Sequence, residues 1–224
     1  MAKQNVNQSA QTEETLNIQE SFFLKNKKAI IGCVAAVVLI IAGVIVYKNY
    51  ISAPREDKAS TILAKGQEYF NNGDFEKALK GDKKDFPGFE AVASEYSSTD
   101  AGNLANLYAG LCYAQTEKWQ EAVNYLEKFS KQDDAMISPA AEAALGNAYA
   151  HLKQLDKAVS CLKSAAAKAD NNSLSPTFLI QAGEILESQG KADEALKCYK
   201  EVKEKYFNSM AYQTIDKYIE RVTK

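Results

Sequence analysis

Residues 145–162 read LGNAYAHLKQLDKAVSCL. Gly146 and Tyr149 lie three apart, and Ala158 and Leu162 four apart, so each pair shares one face of a helix. The polar Lys153-Gln154 between them breaks the periodicity. The stretch therefore reads as two helices joined by a tight turn. Small residues at Gly146 and Ala158 let the helices approach closely, while Tyr149 and Leu162 fill the space between them.

The same anchors recur on both sides. Gly110, Tyr113, Trp119, Ala122 and Leu126 form one copy, and Gly183, Leu186, Ala192, Ala195 and Tyr199 another. Glycine recurs after 36 and then 37 residues, alanine recurs at the same two spacings, and the Gly to Ala distance is 12 in every copy. A fixed period with two independent anchors marks a repeat architecture, in which each hairpin buries its apolar face against its neighbours. Gly66, Tyr69, Phe75 and Ala78 start an earlier, degenerate copy, but Gly66 to Gly110 is 44 residues, and its second helix is expected to restart after Pro87. The units run over 59–100, 101–136, 137–173 and 174–208. Residues 209–224 place Met210, Tyr212, Ile215, Tyr218, Ile219 and Val222 at helical spacing, which suits a helix capping the last open face.

Upstream of the repeats, Ala29 to Tyr47 reads AIIGCVAAVVLIIAGVIVY, nineteen residues without a charge. As a helix it covers about 28 Å, close to the roughly 30 Å hydrocarbon core of a bilayer. A cleavable signal peptide has a shorter apolar run, of about 7 to 15 residues. Lipoprotein processing would require the apolar run to precede Cys33 instead of following it. A buried soluble helix seldom runs this long without a polar residue. The segment is expected to be a single transmembrane helix. Lys25, Lys27 and Lys28 crowd its N-terminal side, with Lys48, Arg55 and Lys58 more dispersed beyond it. Positive charge holds the flanking segment inside, and long C-terminal domains translocate regardless of charge, so the N-terminus is expected in the cytoplasm. Phe22 and Phe23 on one side and Tyr47 and Tyr50 on the other suit interfacial anchoring. Residues 1–28 read as a juxtamembrane tail, disordered over the Gln- and Asn-rich residues 1–21. Residues 48–58 read as a linker.

With 46% hydrophobic and 25% charged residues, the composition excludes a collagenous or low-complexity chain. Net charge is +1 over residues 1–28 and −3 over 48–224, with no basic cluster fit for nucleic acid. Four prolines and eleven glycines, against abundant Ala, Glu, Lys and Leu, favour long helices. The fold class is all-α: one transmembrane helix, then an α-solenoid of helix hairpins.

The pattern Leu145-Gly146-x-x-Tyr149 followed by Ala158-x-x-x-Leu162 resembles the tetratricopeptide repeat (TPR), although the usual period is 34. Pro139 and Pro176 lie at the start of first helices, where proline is tolerated. One span, a short tail, a C-terminal TPR domain and the run Tyr96-x-x-Thr-x-Ala-Gly-Asn-Leu-Ala105 resemble the ancillary Sec-translocon subunit family of Gram-negative bacteria. That resemblance implies a single-pass inner-membrane protein with a periplasmic repeat domain, beside the SecYEG channel, partnering a membrane-anchored periplasmic chaperone. The alternative is a scaffold or receptor whose repeats face the cytoplasm.

Catalysis has few parts to work with. His151 is the only histidine, which removes multi-histidine zinc sites and most acid–base triads. Cys112, Cys161 and Cys198 are scattered without C-x-x-C spacing, and two equivalent second helices hold Cys161 and Cys198 beyond the roughly 7 Å disulfide limit. No enzyme activity, cofactor, metal or small-molecule substrate is expected. In TPR domains the first helices line a concave face. Here they would present Leu107, Leu111, Gln115, Ala143, Asn147, His151, Ile180, Glu184 and Glu187 to a protein partner. Co-chaperones of this fold grip acidic tails with a Lys, Arg and Asn clamp. The matching positions here are Leu63, Gln67, Ala143, Asn147, Ile180 and Glu184, of which only Asn147 fits. A hydrophobic or helical ligand is expected instead.

If Ala29–Tyr47 is held by burial in lipid and not by surface charge, the chain will remain in the membrane pellet through both carbonate and high-salt washes. Its release by either wash would remove the anchor.

Overall fold

The computed structural model describes residues 2–82 and 84–223, with side chains from Lys25 onward. The chain divides into two compact units, Met1–Pro54 and Arg55–Lys224. The first unit consists of α1 (Ala2–Tyr47) and a π-helical stretch, Lys48–Ser52. From Ile31 to Tyr47 the large apolar side chains are each more than half exposed, between 54% and 72%. The helix is long and apolar enough to cross a membrane. The disorder expected over residues 1–21 does not appear: the backbone is helical from Ala2. No glycine or proline interrupts residues 1–31, and Gln, Ala, Glu and Lys cost a helix little. The side chains of Phe22 and Phe23 lie outside the described residues.

The second unit is an all-helical TPR-like solenoid, with no strand among the described residues. In it α2 (Ala53–Asn71) pairs with α3 (Phe75–Lys80) and α4 (Phe89–Glu95), and α5 (Asp100–Gln115) with α6 (Trp119–Leu126). Next, α7 (Ile137–His151) pairs with α8 (Leu155–Ala169), and α9 (Ser175–Ser188) with α10 (Ala192–Lys205). A 3-10 turn (Met210–Gln213) leads into α11 (Ile215–Thr223).

The anchors meet inside each pair. A Cβ on Gly110 would stand 2.6 Å from Leu126, one on Gly146 3.1 Å from Leu162, and one on Gly183 2.3 Å from the Tyr199 ring. Ala122, Ala158 and Ala195, all at 0% exposure, let the second helices lie equally close. The turns repeat as faithfully. The N–H groups of Asp74, Lys118, Gln154 and Lys191 donate to the carbonyls of Tyr69, Tyr113, Tyr149 and Leu186, each at 2.9 Å. The residue before each donor has positive φ: Gly73 at 78°, Glu117 at 60°, Lys153 at 61° and Gly190 at 73°. This is the Schellman closure of a helix, which satisfies the otherwise orphaned last carbonyls and reverses the chain.

The degenerate first unit solves the same problem with a loop. A Cβ on Gly66 would meet Phe86 at 2.4 Å and Phe89 at 2.5 Å, so one phenylalanine from within the loop and one just beyond it fill the place taken elsewhere by Leu or Tyr. The loop is pinched at its neck, where Gly81 (φ 89°) and Gly88 (φ 98°) bring backbone against backbone. At its centre the Asp82 carboxylate accepts the N–H groups of Lys84, Phe86 and Asp85, and the Tyr69 hydroxyl at 2.8 Å. Those donors hold its carboxyl far below the usual range.

Two boundaries need correction. The linker expected over residues 48–58 is helical, and the second unit starts at Arg55 instead of residue 59. Pro54 lies in the first turn of α2, where its missing N–H has no intrahelical use. The Arg55 guanidinium donates to the Glu95 carbonyl, and the Glu56 carboxylate accepts the N–H groups of Asp100 (2.7 Å) and Ala101 (3.0 Å). A carboxylate there complements the positive end of α5, so residues 55–58 belong to the repeat domain. In the cap, Ile215 is buried and Tyr218, Ile219 and Val222 pack on the core, but Met210 is 89% exposed and Tyr212 40%. The Ser209 hydroxyl caps a 3-10 turn there, so the helical spacing that put Met210 and Tyr212 on the covering face does not apply.

The run Tyr96–Ala105 has a structural account of its own. Thr99 caps α5, accepting the Gly102 N–H at 3.0 Å and donating to the Tyr96 carbonyl at 2.7 Å. A Cβ on Gly102 would come within 1.9 Å of that carbonyl oxygen. Asn103 exchanges two hydrogen bonds with the Ser130 backbone. Gly102→Ala must therefore push backbone from backbone and will cost about 1–3 kcal/mol, the range of overpacked cores, read as a lower urea midpoint. Ala64→Gly, at an exposed position of α2, should lose about 1 kcal/mol or less.

Candidate partner-binding groove

The first helices α5, α7 and α9 line a groove of about 820 Å³. Five of the nine residues expected on the concave face line it: Leu111, Gln115, Asn147, His151 and Glu184. Ala114, Ala144, Ala150 and Ile185 complete an apolar floor. A second, more apolar groove of about 470 Å³ adjoins it across α2, α5 and α7, and Leu111 lines both. Leu107, 8% exposed, faces this second groove with Tyr108, Met136 and Ile137. Gln67 donates to the Tyr108 hydroxyl at 2.9 Å, fixing the polar rim.

The other three expected residues lie elsewhere. Ala143 is 3% exposed and packs in the core with Leu162, Leu179 and Ala182, so it is closed to a partner. Ile180 is half-buried against the same cluster. Glu187 is taken up by the cap: Arg221 donates to it twice, at 2.8 and 2.6 Å, and the Tyr199 hydroxyl donates to it as well. For Ala143 and Ile180 the reason is helical precession. Steps of four residues advance the face by about 40°, so a row started correctly at one end of a helix turns into the core at the other. On α7 the groove face is Ala144, Asn147, Ala150 and His151. Beside Ala143, Glu142 is also buried; burial pushes its carboxyl up, but Lys131 at 2.8 Å and Lys168 at 2.7 Å outweigh that and hold it low.

Trp119 was expected only as a packing residue, yet it lines the groove and stacks on His151 with ring centroids 3.7 Å apart and planes 5° from parallel. Its place at the first position of α6 puts it over the rim where α5 turns. Glu117, in the same turn, also lines the groove.

On the second-helix side, tyrosine hydroxyls knit units together. Tyr113 donates to Glu90 and Tyr149 to Glu127, each reaching back to the preceding second-helix segment. Burial and the neighbouring carboxylate push both phenols up to about 12, so both remain donors at any physiological pH. The last unit has Leu186 at that position, and Tyr199 takes over with Glu187. The thiols serve no such network: burial drives Cys112 up to about 12, and Cys161 is half-buried. Among the described residues no cluster of His, Cys, Asp or Glu could hold a metal.

A family profile described as a tetratricopeptide repeat-like domain matches residues 20–220. No curated protein matches the sequence. Among solved structures, the nearly identical TPR-like repeats of a Podosopora anserina chain described as a kinesin light chain are similar at TM-score 0.57 and 15% identity, covering 75% of this chain and 86% of that one. The MamA protein is similar at TM-score 0.53 and 19% identity, covering 74% of this chain and 86% of that one. At these identities the likeness concerns the fold.

Arg221 holds the Glu187 carboxyl below its ordinary value of 4.5. A depressed carboxyl contributes stability that is full above the unfolded value and lost as pH falls through the folded one. Acidification from pH 7 to pH 3 should therefore loosen the wild-type cap more than that of Glu187→Gln. The difference in urea midpoint should correspond to under about 1 kcal/mol, because Arg221 is half-exposed.

Proposed function

Because the chain belongs to the tetratricopeptide repeat-like domain family, we propose that it is a membrane-anchored protein-interaction module and that the groove of α5, α7 and α9 holds the partner. The observation that carries this reading is the groove itself, a continuous concavity with an apolar floor and scattered polar groups, the usual character of a recognition site. The exposed apolar surface of α1 supports a membrane span, since a water-facing stripe of that size would be a liability in a soluble chain. The Lys25, Lys27 and Lys28 cluster supports an inner-membrane orientation with the repeats in the periplasm. There the protein would act beside the Sec translocon, with SecYEG and a membrane-anchored chaperone as partners, as the architecture of span and repeats suggests. The account of Tyr96–Ala105 as a helix junction leaves that partnership resting on architecture alone.

The test is a photo-crosslinking amino acid placed singly at Gln115, Asn147 and, as an outward control, Lys163 in intact cells. Adducts at the two groove positions and none at Lys163 are expected, with translocon or chaperone subunits identified in them. Protease added to spheroplasts should digest the repeat domain. Protection until the inner membrane is lysed would place the repeats in the cytoplasm and favour a scaffold on that side.

A further inference from the structure

The charged residues lining the main groove are Glu117 and Glu184, with no lysine or arginine among the lining residues. Both are exposed, and among the described residues neither forms an ion pair. Gln181, from α9, lines the same groove, and its carbonyl oxygen is buried with no hydrogen-bond partner. A buried acceptor without a donor carries a desolvation cost, which a donor brought by a ligand would recover. The site thus offers two carboxylates and an amide oxygen, all acceptors. The adjoining groove, joined through Leu111, has the opposite character: Leu104, Leu107, Met136, Ile137, Ala140 and Leu174 line it, with Met136 and Ile137 more than half exposed.

From this division we infer that the groove takes a polarised peptide segment, with a large apolar side chain seated in the α2–α5–α7 half and lysine or arginine in the α5–α7–α9 half. Charge complementarity selects the occupant. An ammonium or guanidinium satisfies the acceptors and pairs with Glu117 and Glu184, whereas an acidic segment would meet two carboxylates of its own sign. The indole of Trp119 lies at the rim of the acidic half with one face stacked on His151, and its other face is the one such a cation would use. This inference deepens the reading of the groove as the partner site and names the partner's chemistry.

Trp119 is the only tryptophan in the chain, so its fluorescence reports groove occupancy directly. The full chain in phosphatidylcholine nanodiscs is titrated with a synthetic peptide combining leucine and lysine, with the same peptide carrying glutamate for lysine, and with one carrying serine for leucine. Empty nanodiscs correct for lipid binding. The lysine–leucine peptide should bind and both altered peptides should bind at least about tenfold more weakly, a ratio one charge pair or one apolar anchor supplies. Added salt should weaken the first. The double variant Glu117→Lys with Glu184→Lys, at two exposed positions that leave the core intact, should reverse the lysine-to-glutamate preference, and Gln181→Leu should weaken lysine binding without touching the preference for leucine.

Equal binding of the lysine and glutamate peptides, or no binding of the lysine peptide, overturns the inference. If the Gln115 and Asn147 crosslinks to a partner persist in that case, the groove remains the partner site and only its basic chemistry falls; if they are absent, both fall. Crosslinks from Asn147 to a second copy of the chain would assign the groove to self-association and also overturn the inference.

Discussion

Three glycines, Gly110, Gly146 and Gly183, each lie against the side chain sixteen residues on, and the volume their missing Cβ leaves is filled by Leu126, Leu162 and Tyr199. The rest of the repeat domain depends on that exchange. It sets how closely the two helices of a pair approach, so it sets which residues face inward along both. It also requires the turn between them to be short, and the four Schellman closures meet that requirement with nearly the same backbone geometry whether the left-handed residue is Gly73, Glu117, Lys153 or Gly190. A non-glycine residue in that conformation costs about 1–2 kcal/mol, which the surrounding hairpin offsets by satisfying the last carbonyls of its first helix.

Pairs alone do not make a domain, and the links between them are of a different kind. Tyr113 and Tyr149 reach back to acids of the preceding second-helix segment, Glu56 caps α5 from α2, and Glu142 ties α7 to Lys131 and Lys168. These are hydrogen bonds and charge pairs laid over an apolar core, so they orient neighbours more than they bind them. In the last unit Leu186 replaces the tyrosine, and the connection runs instead from Tyr199 through Glu187 to Arg221 of the cap. That replacement withdraws Glu187 from the groove and gives the open end of the solenoid a polar lock over the apolar contact of Ile215.

Because the first helices stack side by side, the groove inherits their alternation. Its α2–α5–α7 half is floored by Leu104, Leu107 and Ile137, and its α5–α7–α9 half is edged by Glu117 and Glu184. One surface with two characters discriminates among ligands better than a uniform one, since a partner must match an apolar anchor and a charge at once.

The sequence by itself determined the hairpins. The coincidence of two anchors at one spacing is a statement about packing that marks a helix-hairpin repeat, and nineteen uncharged residues have the length of a bilayer core whatever surrounds them. It also brought Leu111, Gln115, Asn147, His151 and Glu184 to one face, since all lie near the middle or C-terminal part of their helices, where the assumed row and the true one coincide. Tertiary structure alone decided the rest. Ala143 and Ile180 turn into the core because a row of fourth residues precesses along a helix. Glu187 is claimed by Arg221, a contact 34 residues away that no local pattern announces. Trp119, read as a packing residue, and Glu117 enter the groove because the turn that carries them folds over its rim, and the position of a turn relative to the next hairpin is fixed only when the hairpins stack.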